Sequence, residues 1–268
     1  MTRQKACLLW MGLCAFSVAH AQSPQQIIQQ VVTAQHDADE NDHSQWLYLE
    51  KIRKPKEQVL QRVASTQQGE IQLVLERNGE KLSVSQQSDL IRDFLHDPRA
   101  QKKQVSEINH DIKQLDDLLQ LLPHGFVWTQ TGATATTTSL HFEPNPHFHP
   151  PTREARVFSS MEGDAIIDNE QHRIRSMSGH LMHEVRFGGG ILGKLKEGGS
   201  FSLQQEQVGP SLWQLTAFDV HLEGDALLFK SISLLQDDER SDFRPEPSTI
   251  TLDQAATEVM SQTETAQF

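Results

Sequence analysis

The apolar positions of this chain change period along its length. From Ser23 the segment SPQQIIQQVVTAQHDAD places Ile27, Ile28, Val31 and Val32 at helical spacing. Ser23 suits the N-cap and Pro24 the first helical position, so a helix is predicted there. WLYLEKIRK, EQVLQRVAS and EIQLVLERNGEKLS then read as strands, rich in β-branched and aromatic residues. Asn78-Gly79 predicts a tight hairpin, because a type I′ turn needs positive φ at both central residues. The period returns to 3.6 over SQQSDLIRDFLHDPRAQKKQVSEINHDIKQLDDLLQLLP, a polar, glycine-free stretch. Two helices are predicted there, broken near Asp97-Pro98. The second carries Ile108, Ile112, Leu115, Leu119 and Leu122 on one stripe.

From Phe126 onward strand signals dominate. GFVWTQTGATATTTSLHFEPNP predicts two strands about a Thr-rich turn. ARVFSSMEGDAIIDNEQHRIRSMSGHLMHEVRFG predicts three or four more, turning at Glu162-Gly163, Asp168-Asn169 and Ser178-Gly179. SFSLQQEQV, LWQLTAFDVHL and ALLFKSISLLQ predict three long strands, connected at Gly209-Pro210-Ser211 and Glu223-Gly224-Asp225. The last strand is expected to end at DDERSD, and Thr251 caps a C-terminal helix over LDQAATEVM. The fold class is therefore α+β. A large curved antiparallel sheet of about nine to eleven strands forms a half-closed β-barrel, since sheets of that size tend to curl. The N-terminal and central helices cover it, burying their stripes on the concave face.

The first residues change the picture of the compartment. Arg3 and Lys5 precede the uncharged run ACLLWMGLCAFSVA and the small-x-small triplet Ala19-His20-Ala21. That is the layout of a secretory signal peptide, 1–21, cleaved after Ala21. The expected mature protein, 22–268, is a single half-barrel domain in the periplasm. Both cysteines, Cys7 and Cys14, fall in the removed segment, so disulfide and thiolate chemistry are excluded from the mature chain. Removing Arg3 and Lys5 takes the net charge from −12 to −14. That balance argues against nucleic acid as a partner, since phosphate binders cluster Lys and Arg. The one basic bunch, Lys51 to Lys56, reads as a solvated strand end.

Chemical motifs are few. Gly188, Gly193 and Lys194 match G-x-x-x-x-G-K, but Leu195 replaces the magnesium-binding hydroxyl and Gly198-Gly199 leaves no room for the helix that must follow. No nucleotide is expected, and ILGKL reads as a one-turn bridge or short helix between strands. In HFEPNPHFHPP, His147 and His149 project to one side of an extended segment with His141 nearby in sequence, a set that could bind Zn²⁺ or Cu²⁺. The prolines make adventitious surface histidines the plainer reading. His180 and His183 form H-x-x-H-E and face opposite ways in a strand. No G-x-S-x-G elbow occurs. No catalytic residue, metal or cofactor is expected.

Trp46, Tyr48, Phe126, Trp128, Phe187, Phe201, Trp213 and Phe218 all sit on predicted strands. They read either as ordinary core or as the lining of an apolar cavity that the helices leave incompletely covered. The exported N-terminus, the helix before WLYLEK, the central helices, FEPNPHFHPP, MEGDAIID and RFGGGILGKLKEGGSF together carry a resemblance. The chain resembles the fold family of periplasmic outer-membrane lipoprotein carriers (LolA) and RseB-type stress sensors, in an exported bacterial subgroup with the same frame. The resemblance covers nearly all of the mature chain. It implies a half-closed barrel that holds lipid moieties, and it implies no catalytic residues. The expected function is a non-enzymatic binding protein for a lipid or lipoprotein acyl chain. The alternatives are an envelope sensor or adaptor that binds a membrane protein partner, and a metal-binding or hydrolytic protein built on the His-rich stretches.

Overall fold

The computed structural model describes residues 22–187, 193–226 and 230–265. The expected signal peptide and Gly188 lie outside the described residues. Helix α1 (Pro24–Asn41) starts where the caps dictate. The Ser23 hydroxyl accepts from the Gln26 amide at 3.3 Å and the Gln26 side chain accepts from the Ser23 amide at 2.9 Å. Strands β1 (Gln45–Lys54), β2 (Glu57–Thr66), β3 (Gly69–Arg77) and β4 (Glu80–Lys81) follow as a meander. Asn78 and Gly79 take φ of 52° and 83°, the two positive values the hairpin demands. Helix α2 (Val84–Leu95) ends before Asp97, whose carboxylate accepts from the amides of Arg99 and Ala100 and so caps α3 (Pro98–Leu119). The short α4 (Leu122–Gly125) leads into β5 (Phe126–Ala133) and β6 (Thr137–Pro144).

The segment ARVF is helical rather than extended. Thr152 caps α5 (Arg153–Phe158) by accepting from the Ala155 amide at 3.1 Å. Strands β7 (Met161–Asp168), β8 (Ile174–Leu181) and β9 (Val185–Phe187) come next. Asp168-Asn169 is a turn, but Gly163 and Gly179 are strand-interior residues paired with each other across β7 and β8. Their role is clearance. A Cβ on Gly179 would lie 2.9 Å from Phe201 and 3.0 Å from Phe142, so Gly179 leaves room for two rings, while Gly163 leaves room for the β8 backbone.

Residues Gly193–Leu195 form β10, antiparallel to β9, instead of a helical bridge. Strand β11 (Ser200–Gly209) pairs with both β8 and β12 (Leu212–Ala226). Glu223, Gly224 and Asp225 are interior to β12, so the connection to β13 (Lys230–Glu246) comes later than expected. Strand β13 continues past DDERSD because Asp242, at φ 56°, forms a bulge that lets pairing with β1 resume at Arg244. Helix α6 (Leu252–Thr265) closes the described chain, capped by Thr251 and Gln254.

All strand pairs are antiparallel, in the order β4-β3-β2-β1-β13-β12-β11-β8-β7-β6-β5, with β9 and β10 beside β12. The sheet has 13 strands, more than the pattern predicted, and is not closed. The β1–β13 pairing joins the two ends of the chain, which no local signal encodes. The helical cover is divided between the faces. Ile28, Val31 and Val32 of α1 and Leu122 of α4 bury against Phe126, Trp128, Leu140, Phe142, Ala165 and Met177. Ile91 of α2 and Ala255, Ala256 and Val259 of α6 bury against Leu47, Ala64, Ile71 and Leu73. Following the register Phe142↔Gly163, Ala165↔Met177, Met177↔Leu203, Leu203↔Phe218, Phe218↔Asp238 and Asp238↔Ile52 shows that these layers lie on opposite faces.

Candidate functional site: an aromatic face under an amphipathic helix

The same register carries Trp46, Tyr48, Phe126, Trp128, Phe187, Phe201, Trp213 and Phe218 to one face of the sheet, the face on which α1 and α4 pack. They divide into groups. Phe126 and Trp128 are buried in the main core, with Phe126 edge-on to Phe142 at 4.9 Å, and Phe158 and Phe201 extend the cluster. Trp46 and Tyr48 form a second cluster with Val63 and Phe243, whose ring stacks on Tyr48 at 5.4 Å. Both buried indoles beside the main cluster have a partner. Trp128 donates to the Leu122 carbonyl and Trp213 to the Gln171 side chain, each at 2.8 Å. Phe187, Phe201 and Phe218 are half-buried, as are Leu203, Val220 and Leu222 on the same face. A lane of apolar side chains therefore runs across the middle strands between the two clusters.

Helix α3 gives this face a second apolar surface. Its first turns adjoin Gly69, where Gln104 accepts from the Glu70 amide at 2.8 Å and Val105 lies against the glycine. At its other end, Leu119 packs on the main core. The helix has 22 residues, about 33 Å at 1.5 Å per residue. Val105, Ile108, Ile112, Leu115 and Leu119 follow helical spacing, so the anchored ends belong to one stripe. Yet no α3 residue is buried, and Ile112 and Leu115 are 58 % and 57 % exposed. Of the expected stripe, Ile108, Ile112, Leu115 and Leu119 lie on α3, whereas Leu122 falls on α4 and is buried; the middle of the α3 part is largely exposed.

Polar groups border the lane where β1, β2 and β13 meet. Glu50 is 5 % exposed and accepts from Gln61 at 2.6 Å. Arg240 places Nε 3.0 Å from Glu50 and donates to Asp238 at 3.1 Å, while its guanidinium covers the Tyr48 ring. Burial pushes the Asp238 carboxyl above its ordinary range despite Arg240. Burial likewise raises the Glu70 carboxyl, and it raises the Tyr48 hydroxyl well above its usual value. Burial acts to lower Arg240, but the surrounding Tyr48, Asp238, Glu50 and Glu70 outweigh it and hold the guanidinium charged. Nothing in the alternating sequence announced this group. Its members are far apart in the chain and only the β1–β13 pairing assembles them.

The remaining motifs fall elsewhere. Lys194 is on β10 with its amine 2.7 Å from Glu184. His147 and His149, with His124, Phe126, Trp128 and Phe148, line an open depression of about 430 Å³ beside α4. His183 lies in the turn between β8 and β9 and is exposed, apart from His180 on β8. No protein family, characterised protein or solved structure matches this chain. No helix among the described residues is long and apolar enough to cross a membrane.

Proposed function

We propose that the protein is a non-enzymatic, exported binding protein that holds an acyl chain between α3 and the aromatic face of its sheet, in the manner of a lipoprotein carrier. One observation carries the reading. The α3 stripe is anchored at Val105 and Leu119, yet Ile112 and Leu115 between those anchors remain open to solvent. The half-buried Leu203, Phe218 and Val220 lie on the aromatic face of the sheet and would supply the second wall. An acyl chain in such a groove would remove both surfaces from water at about 0.8 kcal/mol per methylene. Export in a cleaved form and the periplasmic location belong to the same proposal.

Native mass spectrometry of the untagged mature protein from its own envelope, followed by organic extraction, is expected to show a lipid-mass adduct that extraction removes. Displacement of a fluorescent fatty acid then locates it. Ile112→Ser is expected to weaken binding about tenfold with little loss of stability, because one buried aliphatic side chain is worth about 1.5–3 kcal/mol and Ile112 is more than half exposed without a ligand. A bare protein mass together with no fatty-acid binding would overturn the reading. It would leave the stripe as a docking face for a partner protein.

A further inference from the structure

On the face opposite the aromatics, over β6, β7 and β8, stands a compact set of metal-ligating side chains. His141 and Glu143 project from β6, Glu162 and Asp164 from β7, and His180 from β8. Their partners in the register are His141↔Asp164 and Glu162↔His180. One ligand atom each from His141, Glu143 and Glu162 lies within 4.8 Å of the others. Two donors that share a divalent cation at about 2.1 Å are about 3–4 Å apart, so only small rotations are needed.

The surroundings of His141 point to a ligand. Its Nδ1 is 3.0 Å from Asp164 Oδ1, and in the neutral ring donation from Nδ1 to that carboxylate leaves the Nε2 lone pair for a ligand. Nε2 lies 3.8 Å from Glu143 Oε1, too far for a hydrogen bond and suited to a bridging ion. A carboxylate that orients a histidine so that its other nitrogen can bind metal is the usual outer-shell arrangement of zinc sites. His180 Nε2 lies 3.2 Å from Glu162 Oε1 and holds that carboxylate in place at the edge of the group. Among the described residues Glu143, Glu162 and Asp164 face histidines and no Lys or Arg, so a bound cation would be attracted by this acidic group.

We infer that His141, Glu143 and Glu162 form a binding site for a divalent transition cation of the Zn²⁺ type, with Asp164 as the positioning residue and His180 at its edge. The site is independent of the acyl-chain groove, since it occupies the other face of the sheet.

Zn²⁺ titration of the metal-free, untagged mature protein by calorimetry tests this, alongside His141→Ala, Glu162→Gln and the double variant His147→Ala/His149→Ala. One equivalent is expected to bind. His141→Ala and Glu162→Gln are expected to weaken it at least about tenfold, and the double variant to leave it unchanged. All four altered positions are half-buried or exposed, and a circular dichroism melt confirms that each variant is folded. Absence of saturable Zn²⁺ binding would overturn the site. So would binding that survives His141→Ala, or binding lost only in the His147/His149 variant.

Discussion

Gly163→Ala is expected to destabilise the protein by at least about 3 kcal/mol, with Gly132→Ala near neutral on the same sheet. An added Cβ at Gly163 would run into the Ser178 carbonyl and lie 2.6 Å from the Gly179 Cα. Those are backbone atoms of the neighbouring strand, so no rotamer can relieve the clash and β7 must move away from β8. At Gly179 the same atom would meet the rims of the Phe201 and Phe142 rings at 2.9 and 3.0 Å. Gly179→Ala should therefore cost less, about 1–3 kcal/mol, since side chains can shift a few tenths of an ångström. Gly132 has only Ser139 nearby, at 3.7 Å, which is ordinary contact. Urea denaturation of the three variants checks the ranking. A Gly163→Ala protein as stable as Gly132→Ala would show that β7 and β8 do not pair in this register.

Those glycines also show why part of the fold was hidden in the sequence. Local signals were legible: Ser23 with Pro24, Asn78-Gly79 and Asp97-Pro98 each fix a boundary by interactions within a few residues. Gly163 and Gly179 look like turn residues because a chain reversal and a close approach of strands both need a missing side chain. Nothing local distinguishes the two until Phe142 and Phe201 are known to pass over them. ARVF falls within a run expected to be extended, whereas the Thr152 cap and the packing of Val157 and Phe158 on the core select a single helical turn and a half. The continuation of β13 depends on a bulge at Asp242, and a positive φ at aspartate leaves no mark on the hydrophobic pattern.

The candidate site divides along the same line. The aromatic positions were visible by alternation, and their common face follows once the register is fixed. The open middle of α3 was not visible. A stripe such as Ile108, Ile112, Leu115 and Leu119 looks the same in sequence whether it is buried or only anchored at its ends. The His141–Glu143–Glu162 group was missed for the opposite reason. The histidines were weighed against their neighbours in sequence, whereas their partners come from the adjacent strand.

The polar corner of the aromatic face gives the second large expectation. Arg240→Met should cost about 2–3 kcal/mol at pH 7, because Glu50 and Asp238, both under a tenth exposed, would lose the one cation they share. The lower part of the usual range applies, since the arginine side chain is itself 31 % exposed and partly screened. The loss should depend on pH with a definite sign. Asp238 and Glu70 already have carboxyls raised by burial, and Arg240 is the main group holding each of them down. A carboxyl with a raised value in the fold binds its proton more readily there than in the unfolded chain. Its ionisation therefore subtracts stability as pH rises from the ordinary carboxylate value of about 4 through the raised one. Removing the guanidinium raises both groups further and steepens that loss. The gap between wild type and Arg240→Met should thus narrow as pH falls from 7 towards 5, as Asp238 and Glu70 begin to take up protons. Arg240→Lys, which keeps the charge but not the two-sided reach, should recover part of the stability. Denaturation of the three proteins at both pH values decides the matter. An equal loss at pH 7 and pH 5 would mean that Arg240 stabilises the sheet through its stem against Tyr48, and that its charge is not what keeps Asp238 and Glu50 together under the aromatic face.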